Sequence, residues 1–335
     1  MAFTTLLDTW EYSGYEYTVS SFADDDTYLY VGLNSNPTTI LKIDPSDGSV
    51  LDTWVGTDTH AVGSSLCVQG DYLYVGGGVA GDENRGRVTQ ISLATLETVA
   101  SWTAGDSGDA RNVYGLTGDG TYIYAALNHS PAWVAKIDPT DMSESAIYVA
   151  ENIVGKGTPA NCWRITYLDS YVYVACTAFV IKLDISDMSL SAYLWGQYGY
   201  YTGINNDGSY VYAAEWVAIP SGYHIRKIDP SDMTVADSWS SATTIIYDIE
   251  YDSPYLYAPD KSYLYVLDTS DMSVVDTWEA PQTQYTFMHL TSTRAYIGQY
   301  ITPATVYVLG AALAGLLIES DNTLLIGEGN TLLVR

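Results

Sequence analysis

Phenylalanine is scarce in this chain: 4 in 335 residues, against 31 Tyr and 9 Trp. Basic residues are scarce too, with 13 Lys and Arg against 40 acids and a net charge of −27. That balance excludes nucleic acid and anionic membranes as partners, since both demand basic patches. Three cysteines, Cys67, Cys162 and Cys176, make neither a CxxC pair nor an even disulfide set, so they read as small buried hydrophobes. No apolar run reaches about 18 residues, which excludes a transmembrane helix. The opening "MAFTTLLDTWEYSG" has no basic segment followed by an apolar one, so no secretory signal is expected. Helical periodicity at i, i+3, i+4 is missing throughout. The hydrophobic fraction of 47% nevertheless allows a large core.

A hairpin recurs in place of these features. "ILKIDPSDGSVLDTW" at 40–54 returns as "VAKIDPTDMSESAIYV" at 134–149, "VIKLDISDMSLSAYLW" at 180–195, "IRKIDPSDMTVADSW" at 225–239 and "LYVLDTSDMSVVDTW" at 264–278. Upstream of each lies a Tyr-x-Tyr strand. Aligned on tyrosine, these strands fall at Tyr28, Tyr72, Tyr122, Tyr171, Tyr210, Tyr255 and Tyr296. A period near 45 with alternating side chains predicts four-stranded β-propeller blades. In each unit an apolar first strand leads through a Gly/Asp/Asn turn to the Tyr strand. A third strand follows, in which Lys42, Lys136, Lys182 and Lys227 share one register. The Asp-Pro-Ser-Asp stretch is a turn in which Asp accepts backbone hydrogen bonds and Pro presets φ. Trp10, Trp54, Trp102, Trp195, Trp239 and Trp278 close the fourth strand and are placed to pack between neighbouring units.

Seven sets of first to third strands are present, but only six fourth strands follow them. The missing one is "TTLLDTW" at 4–10, which stands alone at the N-terminus. The expected fold is all-β: a seven-bladed β-propeller over residues 1–309, closed by pairing of 4–10 with 304–309, followed by a short C-terminal β tail at 310–335. A competing assignment makes 315–320 the last outer strand. The blade pattern resembles the quinoprotein-like and YVTN-type propeller repeats. That resemblance implies the fold and leaves function open. The tail, with Leu316, Leu317, Leu324, Leu325, Leu332 and Leu333 paired at eight-residue spacing, resembles C-terminal repeats of tailed-phage structural proteins. It is expected to act in assembly.

No catalytic motif appears: no HExxH, nucleophile elbow, P-loop or dinucleotide fingerprint. The histidines at 60, 129, 224 and 289 are too dispersed for local metal ligation and read as isolated surface residues. No cofactor or metal is expected. One face carries the uniform acidic turns. The other has variable aromatic loops, whose candidate ligand- or partner-binding residues are Tyr15, Trp133, Tyr198, Tyr200, Tyr201, Trp216, Tyr223 and Tyr300. The expected function is a non-enzymatic structural or adhesion protein of a virus particle, made in the host cytoplasm. Its expected partners are other virion proteins or a host-surface glycan, in an oligomer or larger assembly. The alternatives are a lectin-like propeller outside any virion and a glycan-degrading enzyme with carboxylates dispersed over several blades.

Overall fold

The structure is a computed structural model. It describes every residue except 1, 13–16, 57–58, 80–81, 106–111, 219–220, 242–244, 282–285, 300–301, 312–316, 319–323 and 326–335. Among the described residues the chain is all-β, with five four-stranded antiparallel sheets, one six-stranded sheet and one two-stranded hairpin. No helix long and apolar enough to cross a membrane occurs among them. Tyr15, Tyr300, Leu316, Leu332 and Leu333 lie outside the described residues.

The units follow the chain in order. Residues 18–55, 59–103, 112–149 and 250–279 each fold into one four-stranded meander. The six-stranded sheet contains two further copies. Within strand Tyr171–Asp184, residues 171–177 face strand Ala160–Leu168, while 179–183 face the 190–195 segment of strand Leu190–Asn206. The 199–206 segment of that last strand faces strand Val211–Ala218 instead. The remaining sheet joins the two ends of the chain in the order Phe3–Tyr12, Ala304–Ala311, Arg294–Gln299, Thr286–Leu290. Leu6 pairs with Leu309 and Tyr12 with Ala304, the pairing expected from the strand count. The place open to 315–320 is therefore filled by the N-terminal strand. In the tail, Leu317–Ile318 pairs with Leu324–Leu325.

Two aspartate devices recur along the chain. In the turn after the first strand, Asp25 accepts the amides of Thr27 and Tyr28 on one carboxylate oxygen and the Tyr30 hydroxyl on the other. Asp119 does the same for Thr121, Tyr122 and Tyr124, and Asp207 for Ser209, Tyr210 and Tyr212. The tyrosine at this register is buried in every unit: Tyr30, Tyr74, Tyr124, Tyr173, Tyr212, Tyr257 and Tyr296. Tyr296 is thus equivalent to Tyr30, and the tyrosine-anchored alignment with Tyr28 needs correction. Ala23 opposite Tyr30 opposite Lys42 corresponds to His289 opposite Tyr296 opposite Val308. The seventh unit has Arg294 where the others have their first tyrosine. A slip of two residues keeps the strand face, so the alternation in the sequence gave no warning.

The second device is the turn between third and fourth strands. Asp44 accepts from the Ser46 amide and Asp47 from the Ser49 amide, and this pattern repeats at Asp138/Asp141, Asp184/Asp187, Asp229/Asp232 and Asp268/Asp271. The acidic face is therefore made of turn formers, as the sequence implies. The fifth turn residue has positive φ: Gly48, Leu96, Met142, Met188, Met233 and Met272. The apolar side chains at this position are buried and plug into the cluster shared with the preceding unit. Gly48 has none, because a Cβ there would lie 2.4 Å from the Trp10 ring.

The lysines of the third strands reach across to the next unit. Lys42 donates to Leu93 O at 3.1 Å, Lys136 to Ile185 O at 2.7 Å, Lys182 to Pro230 O at 2.7 Å and Lys227 to Thr269 O at 2.6 Å. Each acceptor lies in the following unit's turn. Each ammonium also sits over its own unit's first tyrosine ring, 3.8–4.3 Å from the centroid. Gln90 donates equivalently to Pro139 O, and Arg294 of the seventh unit donates to Pro45 O of the first. The sixth unit carries the buried Val266 at this register, opposite Tyr257. The reason is topological. The seventh unit's third and fourth strands come from opposite chain ends, so among the described residues no continuous turn joins them as it does in the other units.

Apolar burial follows the same succession. Trp54 shares a cluster with Leu73, Ile91 and Leu96 of the second unit. Trp102 packs with Ile123, Ile137 and Met142 of the third, and Tyr148 with Val172 and Met188 of the fourth. Trp10 packs with Leu29, Leu41 and Ile43 of the first unit, so the seventh unit is joined to the first. The first strands touch in the same order, and Thr286–Leu290 lies against Thr18–Asp24.

Two outcomes are expected. Lys136→Met keeps the apolar stem but leaves Ile185 O without its charged donor, and denaturant unfolding should show a loss of about 1.5–3 kcal/mol. Val266→Lys should bring no gain, because among the described residues the seventh unit lacks the continuous turn that supplies the acceptor elsewhere; stabilisation by that variant would contradict this account. Separately, Gly48→Met installs the residue common to the other turns. It should destabilise by about 1–3 kcal/mol through collision with Trp10, and the penalty should shrink in a Trp10→Leu background.

Candidate functional site

The pairing of first with second strands sets one level in every unit. Ala23, Cys67, Thr117, Thr166, Asn205, Glu250 and His289 each stand opposite the buried tyrosine. Around this level the first strands line a cavity of about 150 Å³ that receives residues from all seven units. Apolar side chains such as Leu66, Leu116, Ile165, Ile204 and Met288 line part of it. The fourth and sixth units add charge to the lining, and His289 of the seventh interacts electrostatically with it.

Arg164 lies 3.9 Å from Asp248 and 5.3 Å from the centre of the Phe287 ring. Gly203 lets the first strands of the fifth and sixth units lie close, since a Cβ there would press on the Asp248 backbone at 3.3 Å. Asp248 also accepts from the amides of Met288 and Ile249. Glu250 accepts from the Asn205 side chain at 3.0 Å. Asn206 bridges back to the Thr166 hydroxyl at 2.7 Å. His289 is hydrogen-bonded to Asp24 of the first unit. The side chains of Arg164, Asp248, His289 and Asp24 keep only 20%, 16%, 19% and 20% of their surface open.

Enclosure governs the protonation of these groups. Burial first, and the charge of Asp248 second, push Glu250 up to about 7. Burial likewise raises Asp248, against the pull of Arg164. Burial opposes charge on His289, but its hydrogen bond to Asp24 and the negative fields of Glu250, Asp24 and Asp248 outweigh that and raise its pKa. The hydrogen bond from His289 holds Asp24 below the usual carboxylate value. A carboxyl group that changes charge near neutrality sits between a guanidinium and an imidazole. Such a group can hold or release a proton at physiological pH. Among the described residues no group of three or more His, Cys, Asp or Glu side chains converges as a metal site.

The aromatic residues singled out from the sequence divide. Tyr200, Trp216 and Tyr223 stand directly opposite one another across three strands of the fifth unit. Tyr200 is 38% exposed. Its ring stacks on Trp216 at 5.0 Å and 22°. Tyr201, one residue on, points to the other face and is buried beside Glu215, whose carboxylate pairs with Arg226 at 2.7 Å. It offers no ring to a ligand, and its place in the site is corrected accordingly. Trp133 is half-buried, edge-on to His129. For Tyr198 only the backbone is described, within strand Leu190–Asn206. His129 is buried, with its ring nitrogen 2.8 Å from Pro131 O. His289 is mostly enclosed and bonded to Asp24, so the reading of these two as surface histidines does not stand. The cluster of Arg164, Asp248, Glu250 and His289 was missed in sequence. Its signal was polar residues inside first strands, in "DIEYD" and "TFMHL".

No protein-family model matches the chain, and no curated protein matches it.

The protonation pattern has a measurable sign. Unfolded Glu250 ionises near its ordinary 4.5, whereas folded Glu250 holds its proton to about 7. Stability from this group is complete below 4.5, falls as pH rises across that window and is level above it. His289, raised above its ordinary 6.5, loses its contribution as pH rises further. Asp24, being lowered, contributes above its unfolded value and changes only under acid. The melting temperature should fall from pH 5 to pH 8, and Glu250→Gln should flatten that slope between 4.5 and 7. An unchanged slope in the variant would show that Glu250 ionises at its ordinary pH in the fold.

Proposed function

We propose that the chain is a seven-bladed β-propeller, closed by its N-terminal strand, that serves as a non-enzymatic binding and adhesion module of a virus particle. Three features support the fold: seven four-stranded units, an apolar cluster at each successive junction, and contact of the seventh unit with the first. Closure of this kind removes free sheet edges. The binding role rests on the ladder of Tyr200, Trp216 and Tyr223. Partly open rings in a fixed row suit the faces of sugar rings, and both tyrosines add hydroxyls for orientation. The particle setting rests on the leucine pairs of the tail, which need a partner surface to cover them.

A glycan array followed by calorimetry tests the binding role. Trp216→Ala should weaken a captured glycan by roughly two- to tenfold, in line with about 0.5–1.5 kcal/mol for a lost aromatic contact, while the melting temperature changes little. Binding unaffected by Trp216→Ala would exclude the ladder.

The second reading, a glycan-degrading enzyme, is favoured by one observation: Glu250, a carboxyl with its pKa raised to about 7 in the cavity, as a general acid requires. The cavity, at about 150 Å³, is small beside the roughly 300–1,000 Å³ of typical ligand pockets. That disfavours a polymer chain passing through it. Product analysis of the captured glycan separates the readings. Turnover abolished by Glu250→Gln with binding retained would establish the enzyme.

A further inference from the structure

Cys162 and Cys176 lie in neighbouring strands of the fourth unit, and both are fully buried. Ala160 pairs with Thr177 and Arg164 with Ala175. Residues 161–163 therefore bulge opposite Cys176 alone. Asn161 sits in the left-handed region at φ 48° to make the bulge. The bulge turns the Cys162 side chain onto Cys176, and the two sulfurs lie 2.6 Å apart. A covalent S–S bond is about 2.05 Å, so little movement separates the thiols from bonding. Cys67 belongs to another unit, packs against the cluster around Tyr74 and Trp102, and has its sulfur near Val68 O.

We propose that Cys162 and Cys176 are a disulfide-forming pair, a covalent modification site that staples the bulge of the fourth unit. The oxidant is a low-molecular-weight disulfide. One protein thiolate attacks it, expels one small thiolate and leaves a mixed disulfide. The second protein thiolate then attacks the protein sulfur and expels the other small thiolate. One S–S bond is broken and one formed, and the two protein thiols pass two electrons and two protons to two small thiols. Burial, reinforced by Cys162, keeps the Cys176 thiol protonated in the fold. Exchange therefore proceeds while the chain folds or opens locally. The staple's position gives it a use. Trp163 and Arg164 follow Cys162 directly, and Arg164 is anchored to Tyr114 O at 2.8 Å. Oxidation would fix the strand that delivers the guanidinium to the cavity.

The test uses the full chain, reduced, unfolded and refolded in a glutathione buffer rich in the oxidised form. The product is then alkylated with N-ethylmaleimide in denaturant and weighed intact. The expected result is a single adduct, at Cys67, on a chain about 2 Da lighter than the reduced one through loss of two hydrogens. The Cys67→Ser variant should take no adduct, and Cys176→Ser should take two. Three adducts on the native sequence, or stable glutathione adducts in their place, overturns the proposal. So does a Cys176→Ser chain that takes none, since Cys67 would then be pairing without discrimination.

Discussion

No unit of this chain can bury its own two faces. A four-stranded sheet of about 40 residues has too little interior to offset the entropy of ordering it. Each unit must therefore lie against a neighbour on both sides, and the last must meet the first. The apolar clusters carry most of the burial, with Trp, Tyr, Met and Leu from adjacent units in one contact set. Apolar contact has no direction, however, and would tolerate sliding. The cations of the third strands supply direction. Each ammonium is held flat by a tyrosine of its own unit and aimed at one carbonyl of the next. Position is thereby handed from unit to unit.

The repeat left this logic partly legible. Aspartates three apart in a turn, one lysine register and a surplus N-terminal strand were enough for the strand order, the turn chemistry and the pairing of 4–10 with 304–309. The lysines' purpose was not legible, because their acceptors are backbone carbonyls of the following copy, and a carbonyl has no sequence signature. Val266 could have revealed it. It breaks the lysine register in the one unit that precedes the split between the chain ends.

The cavity was illegible for a different reason. Arg164, Asp248, Glu250 and His289 come from three units, and each alone looks like a stray polar residue in an apolar strand. Only the meeting of first strands turns them into a coupled group with shifted protonation. Tyr201 failed through local geometry. "GQYGYY" reads as a loop, where adjacent tyrosines could act together. As a strand, its period of two sends Tyr200 outward and Tyr201 into the core.

The seam between the chain ends has a mechanical side. Phe3 stands opposite Ala311, so the chain ends leave the sheet as neighbours. Tension applied between those two ends would peel their strands apart one hydrogen bond at a time. Tension entering along the strand Ala304–Ala311, with the other units held, acts lengthwise. It loads that strand's bonds to both Phe3–Tyr12 and Arg294–Gln299 at once. Bonds sharing a load in shear yield together or not at all. A load entering at Ala311 and resisted by the other units would meet the seam in its stronger direction.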